Sequence, residues 1–157
     1  MITLKHGLYI GIVTENITND NILLLIPPTY FKAGRWIVTS YKGPIRMQYY
    51  KILRSEKIEN YESEKIYNLN GAMLLVCDAA HMYKPEQILK LFKNGDTIQE
   101  ATGNTWYDML CAITEKPPYY GEFQYGCVFR IPYVLPGVYF RFGINKNQKI
   151  VAFEILM

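Results

Sequence analysis

Residues 32–57 carry seven basic side chains (Lys32, Arg35, Lys42, Arg46, Lys51, Arg54 and Lys57) against one acid, Glu56, with Tyr41, Tyr49 and Tyr50 among them. Guanidinium groups grip phosphates and carboxylates through paired N–H donors, and a phenol ring can stack a base. If residues 45–54 form a strand, the period of two puts Arg46, Gln48, Tyr50 and Arg54 on one face. Ile45, Met47, Tyr49 and Leu53 then take the other. The expected ligand-binding residues are therefore Arg46, Tyr50 and Arg54, with Arg35 and Tyr41 from the preceding strand. The competing reading is a solvated strand face whose charges discourage edge pairing. The acids Glu59, Glu62 and Glu64 follow closely enough to neutralise it.

A second constellation is the segment 77–81, CDAAH. Asp78 could orient His81 as a general base, with Cys77 or another residue as nucleophile. A small hydrolase or nuclease would add an arginine such as Arg46. The structural alternative has Asp78 capping a turn and Cys77 facing the core. The other histidine is His6, so neither a three-histidine metal site nor paired H-x-[ST] phosphoesterase motifs can be built. No metal or cofactor is expected. The Gly-rich nucleotide loops, the G-x-S-x-G elbow and the H-E-x-x-H zinc motif are all absent. A third feature is the pair of tyrosine-bearing turns at 117–122 and 133–137, which could rim a ligand or pack over the sheet ends.

Strands must position most of these residues. Runs at 7–13, 22–26, 35–41 and 45–54 are separated by turn-rich or proline-bearing stretches and read as an antiparallel meander. Residues 55–64 read as a connecting loop or edge segment. The unbroken apolar run 72–77 predicts a central strand covered on both faces. A helix is expected from Lys84, with Pro85 at its first position, Ile88, Leu89 and Phe92 on one face and Asn94-Gly95 at its end. A second, over about 104–112, has Trp106, Met109, Leu110 and Ile113 at core-facing spacing. After a strand at 125–131, two runs flank Asn145–Gln148 and predict a hairpin. Val138, Phe140, Phe142 and Ile144 share its core face, with Tyr139, Arg141 and Gly143 opposite. In its partner, Val151, Phe153 and Ile155 face one way and Ile150, Ala152 and Leu156 the other. The expected fold is α+β: a strand-rich, mainly antiparallel sheet or sheets, with two short helices between about residues 84 and 114, in a single domain 1–157.

The chain has 157 residues, half of them hydrophobic, with 14 tyrosines and a formal net charge of +3. That composition excludes a disordered chain and is less basic than most dedicated nucleic-acid binders. Cys77, Cys111 and Cys127 form no C-x-x-C pair, which points to free thiols in a reducing compartment. With no signal peptide and no long apolar run, the expected location is cytoplasmic, with no membrane partner.

From about Asn70 onward, through residues 71–78 (GAMLLVCD), Gly137-Val138-Tyr139 and Ala152-Phe153, the C-terminal half of the chain resembles uncharacterised bacterial and phage domains of unknown function. The proline that follows the aspartate in those domains is replaced here by Ala79. The resemblance implies a bacterial or mobile-element context and brings no catalytic residue. The leading expectation is a small non-enzymatic binding or inhibitor protein, phage- or mobile-element-encoded. It would hold an anionic ligand (nucleotide or nucleic acid) or an acidic protein partner. The alternatives are the hydrolase or nuclease above, and a structural homo-oligomer joined through tyrosine surfaces.

Overall fold

The structure is a computed structural model and describes residues 1–13, 22–40, 45–51, 56–69, 73–84, 86, 88, 107–130 and 135–156. Eleven strands are seen: β1 (Ile2–Leu4), β2 (Leu8–Val13), β3 (Ile22–Ile26), β4 (Gly34–Ser40), β5 (Ile45–Tyr49), β6 (Asn60–Leu69), β7 (Met73–Asp78), β8 (Tyr120–Phe123), β9 (Gly126–Arg130), β10 (Leu135–Ile144) and β11 (Ile150–Leu156). Among the described residues, the helix α1 (Tyr107–Thr114) and a 3₁₀ turn over Ala79–His81 accompany them.

The strands form two antiparallel sheets, ordered β1-β4-β5-β11-β10-β6 and β3-β2-β7-β9-β8. Alternation explains why they stack. Trp36, Met47, Phe140, Phe142, Phe153 and Ile155 of the first sheet join Ile10, Leu74, Val76, Cys127 and Phe129 of the second in one buried cluster. The other face of the second sheet is also apolar. Tyr9, Leu75, Cys77 and Val128 are covered there by Met82, Tyr83, Ile88 and Leu110. The layers are therefore sheet, sheet and a thin helical cover. α1 is tied down at its end, where Arg130 donates from Nε to the Thr114 carbonyl at 3.0 Å and from Nη2 to its hydroxyl at 3.2 Å.

The central-strand reading of 72–77 holds: every residue of β7 is buried. Other expectations change. The architecture is mostly β, with one described helix, so α+β fits only loosely. The four N-terminal runs are not one meander. β2 and β3 pair in the five-stranded sheet, whereas β4 and β5 pair in the other. Residues 27–33 carry the chain across, because both hairpins have an apolar face and each is buried against the other sheet. Residues 120–123, read as part of a loop, form β8. Met109 is 42% exposed, so the core stripe of α1 narrows to Leu110 and the partly buried Ile113. Of the helix expected from Lys84, Glu86 and Ile88 are helical and the Ile88 N–H donates to the Lys84 carbonyl at 3.1 Å. Pro85, Leu89, Phe92, Asn94, Gly95 and Trp106 lie outside the described residues, as does Tyr133 of the second tyrosine turn.

The C-terminal hairpin forms, with β11 interior to its sheet. Its register corrects one detail. Gly143 pairs with Ala152 but Ile144 pairs with Ile150, so Val151 is an extra residue, a β-bulge. The bulge breaks the alternation, and Ile150 packs on the core with Ile144 instead of sharing a face with Ala152. Among the described residues, no helix is long and apolar enough to cross a membrane.

Candidate functional site

β5, β11 and β10 are neighbours, and their register lines up three charges in a row across the outer face of the six-stranded sheet. Arg46 stands opposite Glu154, and Glu154 opposite Arg141. Arg46 Nε lies 2.9 Å from Glu154 Oε1, and Arg141 reaches Oε2 with Nη2 at 2.6 Å and Nε at 3.1 Å. Glu154 is buried, at 4% side-chain exposure, while Arg46 remains 56% exposed. A guanidinium has five N–H donors, so these contacts leave others facing outward. The row sums to one net positive charge.

Aromatic and apolar groups border it. The Arg141 guanidinium sits 4.5 Å from the centre of the Tyr61 ring, a cation–π contact. Tyr61 and Tyr139 are exposed. Gly143 makes room on the same face. A Cβ there would come within 3.0 Å of Ile58 and 3.1 Å of Ala152, so its absence lets residue 58 lie flat on the sheet.

The period of two placed Arg46 correctly, on the face opposite Ile45 and Met47, but not its partner. Arg35 shares the outer face, since its neighbour Trp36 points into the core. It lies four residues along β4 from Thr39, which is opposite Arg46, so about 13 Å separates the two arginines along the strand. Tyr50 follows the end of β5. Its N–H donates to the Arg35 carbonyl at 3.0 Å and its ring meets Tyr49 edge-on at 5.2 Å. Tyr41 and Arg54 lie outside the described residues. Lys32 of the basic run pairs with Glu56 at 3.2 Å. The structure thus gathers Arg46 with Arg141, Glu154 and Tyr61, three residues that the basic run alone does not point to. For Arg141 and Glu154 the signal was the outward phase of the terminal hairpin; Tyr61, on β6, had none.

The second constellation is arranged as a cap. The Asp78 carboxylate is buried and accepts from the backbone N–H of Lys5 at 2.9 Å, His6 at 3.1 Å and Ala80 at 3.2 Å. Its Oδ2 lies 3.4 Å from His6 Nδ1. It holds the β1–β2 turn onto the start of the 3₁₀ turn. The His81 ring packs at a tilt against Phe123 and Tyr125, at ring centroids 4.9 and 5.4 Å away. Burial lowers its pKa. Cys77 faces the core beneath the helical cover, and burial pushes its thiol well up, away from the thiolate a nucleophile needs. The three thiols are free. Among the described residues, no three His, Cys, Asp or Glu side chains cluster as metal ligands.

Comparisons with protein-family models, with curated proteins and with solved structures find no match.

Proposed function

We propose that this chain is a binding protein that uses the outer face of its six-stranded sheet to hold an anionic ligand, with Arg46 and Arg141 as the gripping groups. The observation that carries the reading is the Arg46–Glu154–Arg141 row. One buried carboxylate fixes two guanidiniums, one on either side of it, pre-ordering donors that would otherwise lose side-chain freedom on binding. Tyr61 and Tyr139 add rings against which a base or a planar side chain can lie. A nucleotide or single-stranded nucleic acid suits this face, and so does an acidic segment of a protein. The row contains no nucleophile, which favours binding over catalysis. An inhibitory role, or an origin in a phage or mobile element, would use the same face.

The test is a titration of the full chain with a short single-stranded oligonucleotide and with inorganic triphosphate, across a salt series. Binding should weaken steadily with salt. Arg46→Ala and Arg141→Ala should each weaken it about tenfold, as expected for one lost charge-assisted contact. No binding of either probe at low salt, or indifference to both substitutions, would overturn the nucleotide version. An acidic peptide would then be the probe that remains.

A further inference from the structure

The sandwich is closed along one side and open along the other. On the closed side β1 touches β9, and the Met1 amino group lies 3.4 Å from Glu122 on β8. On the open side the edge strands are β3 and β6, and a cleft of about 440 Å³ enters between the sheets. Its walls are Leu24 and Ile26 from β3, Phe142 and Ile144 from β10, and Ile150 at the start of β11. That volume is in the range of small-molecule sites, which are typically apolar with a few placed polar groups.

Those polar groups are at the rim. Glu62 pairs directly with Phe142. Directly opposed residues share a face of a sheet, so the carboxylate is on the inner side with the Phe142 ring and lines the cleft. Its neighbour Tyr61 points the other way, over Arg141. Gln148 also lines the cleft, from a left-handed backbone conformation with φ +63°. Glycine or asparagine would take that conformation with less strain, and strain kept in place points to a use for the side chain. Tyr30 completes the rim. Glu62 is the one charged residue of the described lining.

We infer that this cleft binds a cationic amphiphile. The occupant has an alkyl or aryl body, buried against Leu24, Ile26, Phe142, Ile144 and Ile150, and an ammonium or amidinium head at Glu62 that Gln148 and Tyr30 can also reach. Charge complementarity selects the head, because an anionic one would meet the carboxylate. The site is separate from the arginine row, which lies on the opposite face of the same sheet. An inward charge on an edge strand also discourages pairing with another chain, and the experiment tells the two roles apart.

The full chain, labelled at Ile and Leu methyls, is titrated by NMR with dodecylammonium, dodecanol and dodecanoate, each below its micelle concentration. Saturable shifts are expected at Leu24, Ile26, Ile144 and Ile150. The ammonium should bind about tenfold more tightly than the carboxylate, the scale of one exposed ion pair set against one like-charge repulsion. Glu62→Gln, at an exposed position, should bring the two within about twofold while leaving the spectrum folded. Ile26→Trp, which fills the cleft, should weaken all three about tenfold or more. If that variant fails to fold, the Glu62→Gln comparison decides alone. Shifts confined to other residues, no saturation, or equal binding of ammonium and carboxylate by the unsubstituted chain would overturn the inference, leaving Glu62 as edge protection.

Discussion

Replacing Glu154 by glutamine keeps the shape of the side chain and removes the charge that both Arg46 and Arg141 touch. Two charge-assisted contacts weaken at once, so stability should fall by about 1–3 kcal/mol, read as a lower denaturant midpoint. Anion affinity should move the other way, because the row goes from one net positive charge to two while the amide oxygen still accepts an N–H and keeps part of the ordering. A variant that is less stable and binds triphosphate more tightly is the signature of the proposed site; unchanged or weaker binding would count against it. Asp78→Ala should cost more, about 2–4 kcal/mol, since three backbone N–H donors lose a buried acceptor. His81 supplies a pH dependence. Its pKa is lowered in the folded state from an ordinary value of 6.5. The unfolded chain therefore takes up a proton first as pH falls. Stability is at its full value above about 6.5 and declines below it, down through the lower folded pKa. Thermal melts between pH 7.5 and 5 should show this decline, and His81→Gln should flatten it. The cap reading of Asp78 could be found in the sequence because it needs only local spacing. The Arg141–Glu154 contact could not. Continuing the Ile144–Ile150 register without a bulge would set Arg141 against Phe153, and the extra residue Val151 is what moves Glu154 into place.

Among the elements, β9 shows how a sheet can depend on one missing side chain. A Cβ on Gly126 would run into the Val76 carbonyl and come within 2.6 Å of the Cys77 Cα, both backbone atoms of the neighbouring strand. Gly126→Ala should therefore push β9 away from β7 and lower stability by about 2 kcal/mol or more. Hydrogen exchange should show lost protection across Gly126–Arg130 first. Elements with strong apolar runs, β7 and the terminal hairpin, were legible in the sequence because burial on one or both faces writes a pattern. β1 and β8 were not. Each is short, three and four residues, and each is held by its neighbours in the sheet more than by its own composition. Met109 missed its predicted place for a related reason. Helical spacing gives the width of a stripe but not how much of it the sheet beneath can cover.

For the whole molecule, the sequence announces many strands but not their division between two sheets. Both sheets are apolar on their inner faces, so a hairpin's own pattern does not say which one it joins. The division has a mechanical result. β11 joins β5 on one side to β10 on the other, and β10 in turn holds β6. Removing residues 145–156 takes out β11 and should leave β4-β5 and β10-β6 as two pieces with nothing between them, and the chain should lose its dispersed NMR spectrum altogether, not fray at one end. A truncated chain that stays folded would contradict that. The same strand order sets a schedule during synthesis. The centre of the six-stranded sheet is made after the other described strands of this domain, and it must reach partners made about a hundred residues earlier. Until then β5 waits with an open edge and an uncovered apolar face. Folding of this domain thus waits on a long-range closure, slow for its size and exposed to aggregation until β11 is made, so chaperone dependence during expression is expected from its topology.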